Sequence, residues 1–172
     1  NPIVSVFDSN GQKVLVNDNW GDVPNLAELR DAAVQQGAFA LPEGSRDAAM
    51  LVTVPAGSYT IQVTGAGTGT AAQGISAVEV YEADSSAGTL VNLSCRARVG
   101  TGGDVLIAGF VIRGSQPRRL LVRAVGPTLA DLGVTGTLAD PKIEVTAQAD
   151  GKTVGSNDNW DASLASTFTS VG

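Results

Sequence analysis

Apolar and polar residues alternate along "IVSVF" (3–7) and "KVLVN" (13–17), with Asn10-Gly11 between them. That pattern predicts two strands folded back as a hairpin. The period changes over "PNLAELRDAAVQQ" (24–36), where Leu26, Leu29 and Ala33 recur at helical spacing. Asn25 stands where an N-cap belongs, and Gly37 is the stop signal. "AFAL" (38–41) is short and apolar, and "PEGS" turns the chain. "DAAMLVTV" (47–54), "SYTIQVT" (58–64) and "ISAVEVYE" (75–82) then read as strands, the last two separated by the loop "GAGTGTAAQG". The small polar stretch "ADSSAG" (83–88) is the best internal boundary. After it come the strand patterns "LVNLSCRARV" (90–99), "VLIAGFVI" (105–112) and "RRLLVRAV" (118–125). "GPTLADLG" (126–133) predicts one helical turn, and "KIEVTA" (142–147) and "KTVGS" (152–156) form a hairpin around Asp150-Gly151. Many short strands and few helices predict an all-β protein, sandwich or jelly roll, in two units, 1–88 and 89–172.

Composition agrees with that class and narrows the chemistry. Hydrophobic residues make up 43% of the 172 residues and charged residues 16%, with 21 glycines, which favours strands joined by tight turns. The net charge of −6 argues against nucleic acid or an anionic membrane surface as partner. The longest apolar run, 105–112, is too short to span a membrane. No histidine is present, so triads and zinc sites that need one are excluded. The single cysteine, Cys95, alternates with Val91 and Leu93 and is expected to be a buried structural thiol. The chain opens without Met, which suggests a processed chain or an excerpt of a longer one.

The strongest signal is a long repeat. "NDNW" stands at 17–20 and again at 157–160, and it holds the only two tryptophans, Trp20 and Trp160. Pro2 matches Pro141, Val4 matches Ile143 and Val6 matches Val145. After a one-residue slip, Asn10-Gly11 matches Asp150-Gly151, Val14 matches Val154, and Leu26-Ala27 matches Leu164-Ala165. A period of about 140 residues means tandem domains and not a solenoid. The first hairpin is followed by strands able to cover it; the second is not. Because a lone hairpin is marginal in water, Ile143, Val145 and Val154 need a cover from 89–139 or from another chain; symmetrically, the strand patterns of 89–125 precede the second hairpin, and none precede the first. Head-to-tail strand donation between subunits meets that need, with Ile3, Val4, Val6, Ile143, Val145 and Val154 as assembly positions and Trp20 and Trp160 as repeat anchors.

"NPIVSVFDSNGQKVLVNDNW" and the later "PAGSYTIQVTG", with Gly57-Ser58-Tyr59, resemble the pre-peptidase C-terminal β-sandwich modules of secreted bacterial proteases. "LVNLSCRARVGTGGDVLIAGFVIRG" and "LLVRAVGPTLADLGVTGTLADP" resemble segments repeated in large bacterial cell-surface proteins. The whole is similar to extracellular fibril protomers that join head to tail by strand insertion. The resemblance implies a jelly-roll-like sandwich at 1–88, an Ig-like sandwich at 89–172 and an extracellular or cell-surface location. Calcium is a feature of such modules.

Several residues carry candidate chemistry. In "NDNWGD", Asp18, Asn19 and Asp22, with Asn17, offer oxygens to calcium, against an Asx-turn network with Trp20 packed on it. The second copy, "NDNWDA", moves the next acid to Asp161, so the ligand spacing is not repeated. "DSNGQ" lacks the terminal acid of an EF-hand loop and reads as a turn. "GTGGD" (100–104) is followed by a strand pattern where a phosphate loop needs a helix. Arg113, Arg118 and Arg119 crowd one turn as a solvated tip or a contact for an acidic loop. Ser45 has no recognisable base or oxyanion hole beside it. Asn92 opens the glycosylation sequon "NLS". No strand pattern carries two inward carboxylates, the pair a sandwich glycosidase would use. These features favour a non-enzymatic structural protomer of an extracellular filament, with identical subunits as partners and no resident cofactor. The alternative is a calcium- or carbohydrate-binding module of a secreted enzyme or surface protein.

Overall fold

The computed structural model describes residues 1–84, 88–159 and 161–171. The chain divides into two compact units, Asn1–Leu93 and Ser94–Gly172. Of the boundary stretch expected at 83–88, Ser85, Ser86 and Ala87 lie outside the described residues, as does Trp160.

In the first unit, β1 (Pro2–Phe7) and β2 (Lys13–Asn17) form the hairpin that alternation predicts. Gly11 closes its turn at φ 74°, a left-handed conformation that glycine adopts without a Cβ clash. α1 (Leu26–Gln36) follows and ends at Gly37, also left-handed. Asn25 occupies the N-cap position, but its side chain caps nothing; its amide donates instead to the Leu51 carbonyl. β3 (Thr60–Gly65) returns to pair antiparallel with β1, giving a sheet of order β2-β1-β3 with β1 in the middle. The core of this unit is small: Val6, Trp20 and Leu29 are its buried hydrophobic residues.

In the second unit, a 3-10 turn at Pro127–Leu132 precedes β4 (Ile143–Thr146) and β5 (Thr153–Asn157), which pair as a two-stranded hairpin. A short helix, α2 (Ala165–Val171), follows.

The expectation of an all-β protein with two β-sandwiches, jelly-roll-like and Ig-like, is overturned. Among the described residues the chain forms two small sheets, of three and two strands, and no sandwich. Most of it is irregular. The patterns at 38–41, 47–54, 75–82, 90–99, 105–112 and 118–125 form no ladder among the described residues. Many of their apolar side chains face solvent, among them Ile75, Val91, Ile107 and Val111. The physical reason is that β-propensity measures fit to a pleated, half-covered surface and not a backbone preference. A strand exists only where a second segment supplies its hydrogen bonds. Cys95 shares that fate: with no sheet to bury it, the thiol is exposed, and the structural-thiol expectation fails.

Candidate assembly site

The two hairpins repeat one another in backbone geometry. Val4 lies opposite Asn17, Ser5 opposite Val16 and Val6 opposite Leu15. Ile143 lies opposite Asn157, Glu144 opposite Ser156 and Val145 opposite Gly155. In both, the register then slips by one residue, between Val6 and Phe7 and between Val145 and Thr146. The residues left over are Val14 and Val154, each a bulge that sharpens the local twist. Both are exposed.

The turns differ by the one residue that separates the two sequence copies. Asp8 donates its N–H to the Gln12 carbonyl at 3.0 Å, and Ala147 donates to Lys152 at 2.8 Å. Gly11 and Gly151 both adopt positive φ, at 74° and 69°. Each turn also uses an aspartate as its brace. The Asp8 carboxylate accepts from the N–H groups of Asn10 and Gln12, and the Asp150 carboxylate accepts from the N–H of Lys152. The Lys152 ammonium, 2.8 Å away, and then that bond hold the Asp150 carboxyl below its ordinary value.

The Asn-Asp-Asn residues at 17–19 and 157–159 make the same side-chain bonds. The Asn17 amide donates to the Asn19 carbonyl at 3.0 Å, and the Asn19 amide donates to Asp18 at 3.2 Å. The Asn157 amide donates to Asn159 at 2.9 Å, and the Asn159 amide donates to Asp158 at 2.9 Å. These side chains satisfy one another as an Asx network. No group of three or more acidic, cysteine or histidine residues able to hold a metal occurs among the described residues.

What surrounds the two loops is different. Trp20 is 5% exposed and is held from three sides. Its N–H donates to the Asp47 carbonyl, its indole N–H donates to Ser45 Oγ at 3.2 Å, and the Arg30 guanidinium stacks 5.2 Å from its ring. Ser45 in turn donates to Asp47 at 2.7 Å, so its hydroxyl is a structural link and not a free nucleophile. Asn17 accepts from the Ala49 N–H at 3.1 Å. Segment 45–51 thus straps the first loop down. In the second copy all of β5 is exposed, Val154 included.

The sheet edges differ in the same way. On its far side β1 is covered by β3: Val4 opposite Val63, Ser5 opposite Gln62, Val6 opposite Ile61. β4 pairs only with β5, so its far edge is open among the described residues. The consequence shows in burial: Val6 is buried, whereas its counterpart Val145 is only partly covered. Ile3, Val4 and Ile143 are half-buried.

The remaining sequence candidates are not gathered with these. Asn92 is exposed and lies in irregular chain instead of a strand. Arg118 and Arg119 are exposed at their turn, as is Arg113. Asp22 ends the 3-10 turn Trp20–Asp22 and is exposed. Two features escaped sequence reading. The Ser45–Asp47 strap gives no periodic signal, and only the paired polar residues beside Arg46 hint at it. The Arg123 guanidinium, 5.1 Å from the Phe168 ring, joins residues too far apart in sequence for any local pattern. No helix among the described residues is long and apolar enough to cross a membrane. No family model, no curated protein and no solved structure matches this chain.

Proposed function

We infer that the chain is a structural, non-enzymatic subunit of an extracellular filament or surface fibre, joined head to tail by β-strand pairing between copies. One observation carries this reading. The same hairpin occurs twice, and the copy at 143–157 keeps an open edge where the copy at 4–17 is covered by a third strand. An open edge presents unpaired N–H and C=O groups beside apolar side chains, which is what an added strand satisfies. Material for such strands is at hand in the exposed apolar segments between 75 and 125. Exposed apolar surface of this extent marks an association surface in a soluble chain. Donor and acceptor are different parts of the chain, so the contact is heterologous and propagates unless its rotation closes a ring.

Negative-stain imaging of the purified chain over rising concentration tests the reading. Uniform filaments are expected. Compact monomers at the highest concentration overturn it. Within the chain, β1 is the poorer choice of donated strand than the sequence suggests. It is the middle strand of its sheet, and removing residues 1–7 takes away the partner of both β2 and β3.

A further inference from the structure

The open edge of β4 is a copy of an edge whose partner is known. In the first hairpin, β1 is met by Ile61-Gln62-Val63-Thr64: two aliphatic residues alternating with an amide and a hydroxyl. One other stretch of the chain spells that order, Val91-Asn92-Leu93-Ser94. Position by position it places aliphatic on aliphatic, amide on amide and hydroxyl on hydroxyl. It is also unspent. Val91 is 89% exposed and Leu93 59% exposed, and no ladder pairs residues 91–94 among the described residues. The N–H of Leu90, just ahead, is bonded to Glu82, so the unspent stretch begins at Val91.

We propose that the outer edge of β4 is the acceptor site for residues 91–94 of a second copy, which add to it as an antiparallel strand. The register is the one β3 uses on β1. Leu93 then lies opposite Ile143 as Val63 lies opposite Val4, and Val91 lies opposite Val145 as Ile61 lies opposite Val6. On the other face Asn92 meets Glu144, where its amide has a carboxylate to donate to, and Ser94 meets Lys142. Cross-strand aliphatic pairs and opposed polar pairs each favour such a register. Released β3 from another copy is the poorer occupant. Each copy has one β3 and two edges of the β1 type, so moving β3 uncovers one edge for each it covers. The 91–94 strand costs no existing pair, and because it differs from its acceptor it links copies in one direction. The proposal rests on the filament reading, whose donor and acceptor it names.

The test uses the full-length chain and a synthetic peptide of residues 88–94. Hydrogen exchange of the β4 amides, at a concentration where the chain is monomeric, is followed as peptide is added. Protection of the β4 amides that point away from β5 is expected to rise at least tenfold, and a peptide with Val91→Asp and Leu93→Asp is expected to give none. The same double substitution in the full chain is expected to abolish concentration-dependent association; both side chains are exposed, so circular dichroism of the monomer is expected to stay unchanged. Filaments that persist in the doubly substituted chain, with no peptide protection of β4, overturn this pairing and leave the filament reading standing. Peptide protection without filaments of the wild-type chain at any concentration sinks the filament reading and retains the β4 edge as a strand acceptor. The β4 amides that point away from β5, if already protected in the monomer without peptide, also overturn the proposal.

Discussion

Asn17 and Asn157 make the same hydrogen bond. Each side-chain amide donates to the carbonyl two residues ahead, 3.0 Å to Asn19 and 2.9 Å to Asn159. Among the described residues, only Asn17 has a second task, accepting from the Ala49 N–H at 3.1 Å. The repeated Asn-Asp-Asn is therefore self-bonded in both places, and in the first it also anchors Ala49.

That difference sets an expectation for paired substitutions. Asn17→Ala removes two part-buried hydrogen bonds and leaves the Ala49 N–H without its acceptor, for a cost of about 1–3 kcal/mol. Asn157→Ala removes one exposed bond and is expected to fall within about 0.5 kcal/mol of wild type. Urea unfolding of the two variants, followed by far-ultraviolet circular dichroism, compares them directly. An equal cost at Asn157 would mean that the second loop is clasped as the first is.

Trp20 is the largest buried side chain of the first unit's small core. Trp20→Ala is expected to cost roughly 3–5 kcal/mol, since the cavity adds to the lost transfer energy. Ser45→Ala keeps the packing and removes the acceptor of the indole N–H, for about 1 kcal/mol. Unfolding midpoints in denaturant separate the two. A Ser45→Ala cost as large as that of Trp20→Ala would show that the strap, and not the ring's burial, holds this loop.

The glycines divide by geometry. Gly11 and Gly151 both need positive φ, so alanine at either is expected to cost about 1–2 kcal/mol through strain alone. At Gly65 the reason is space: an added Cβ meets the backbone carbonyl of Ala72, which is not a flexible side-chain end. Gly21 has neither constraint and serves as the control. Thermal unfolding of Gly11→Ala, Gly65→Ala and Gly21→Ala should therefore lower Tm for the first two and leave the third close to wild type.

Acid should loosen the second turn. Asp150 is held below its ordinary value first by the Lys152 side chain and then by the Lys152 N–H. Asp161 is held low by Ser163, chiefly through its backbone N–H. A carboxylate depressed in the folded chain contributes stability above its unfolded value and loses it as pH falls through the folded one. The Gly151 and Lys152 amide shifts should accordingly move with a midpoint under the usual aspartate value of about 3.9. Asp150→Asn should remove that transition. Both carboxylates are exposed, and salt is expected to weaken the Lys152 contribution.

What the sequence determined by itself was local. Asn10-Gly11 and Asp150-Gly151 between alternating runs marked both hairpins, because a tight turn with a positive-φ residue is decided within a few residues. The leucine spacing over 26–36 marked α1, and Gly37 its end. The repeat of "NDNW" marked Asn-Asp-Asn segments that form the same bonds twice. Long-range partnership was not legible in this way. Alternation is equally good at 60–65, 75–82 and 90–99, yet only 60–65 becomes a strand, because only it lies against β1. Nothing in "NDNW" says that Ser45 and Asp47 will hold Trp20, and nothing in Cys95's alternation shows that no sheet will cover it. Turns and caps are settled by dihedral sterics inside a short window, whereas a ladder needs two segments to meet. That meeting sets loop-closure entropy against the burial gained at the far end, and only the folded chain decides it.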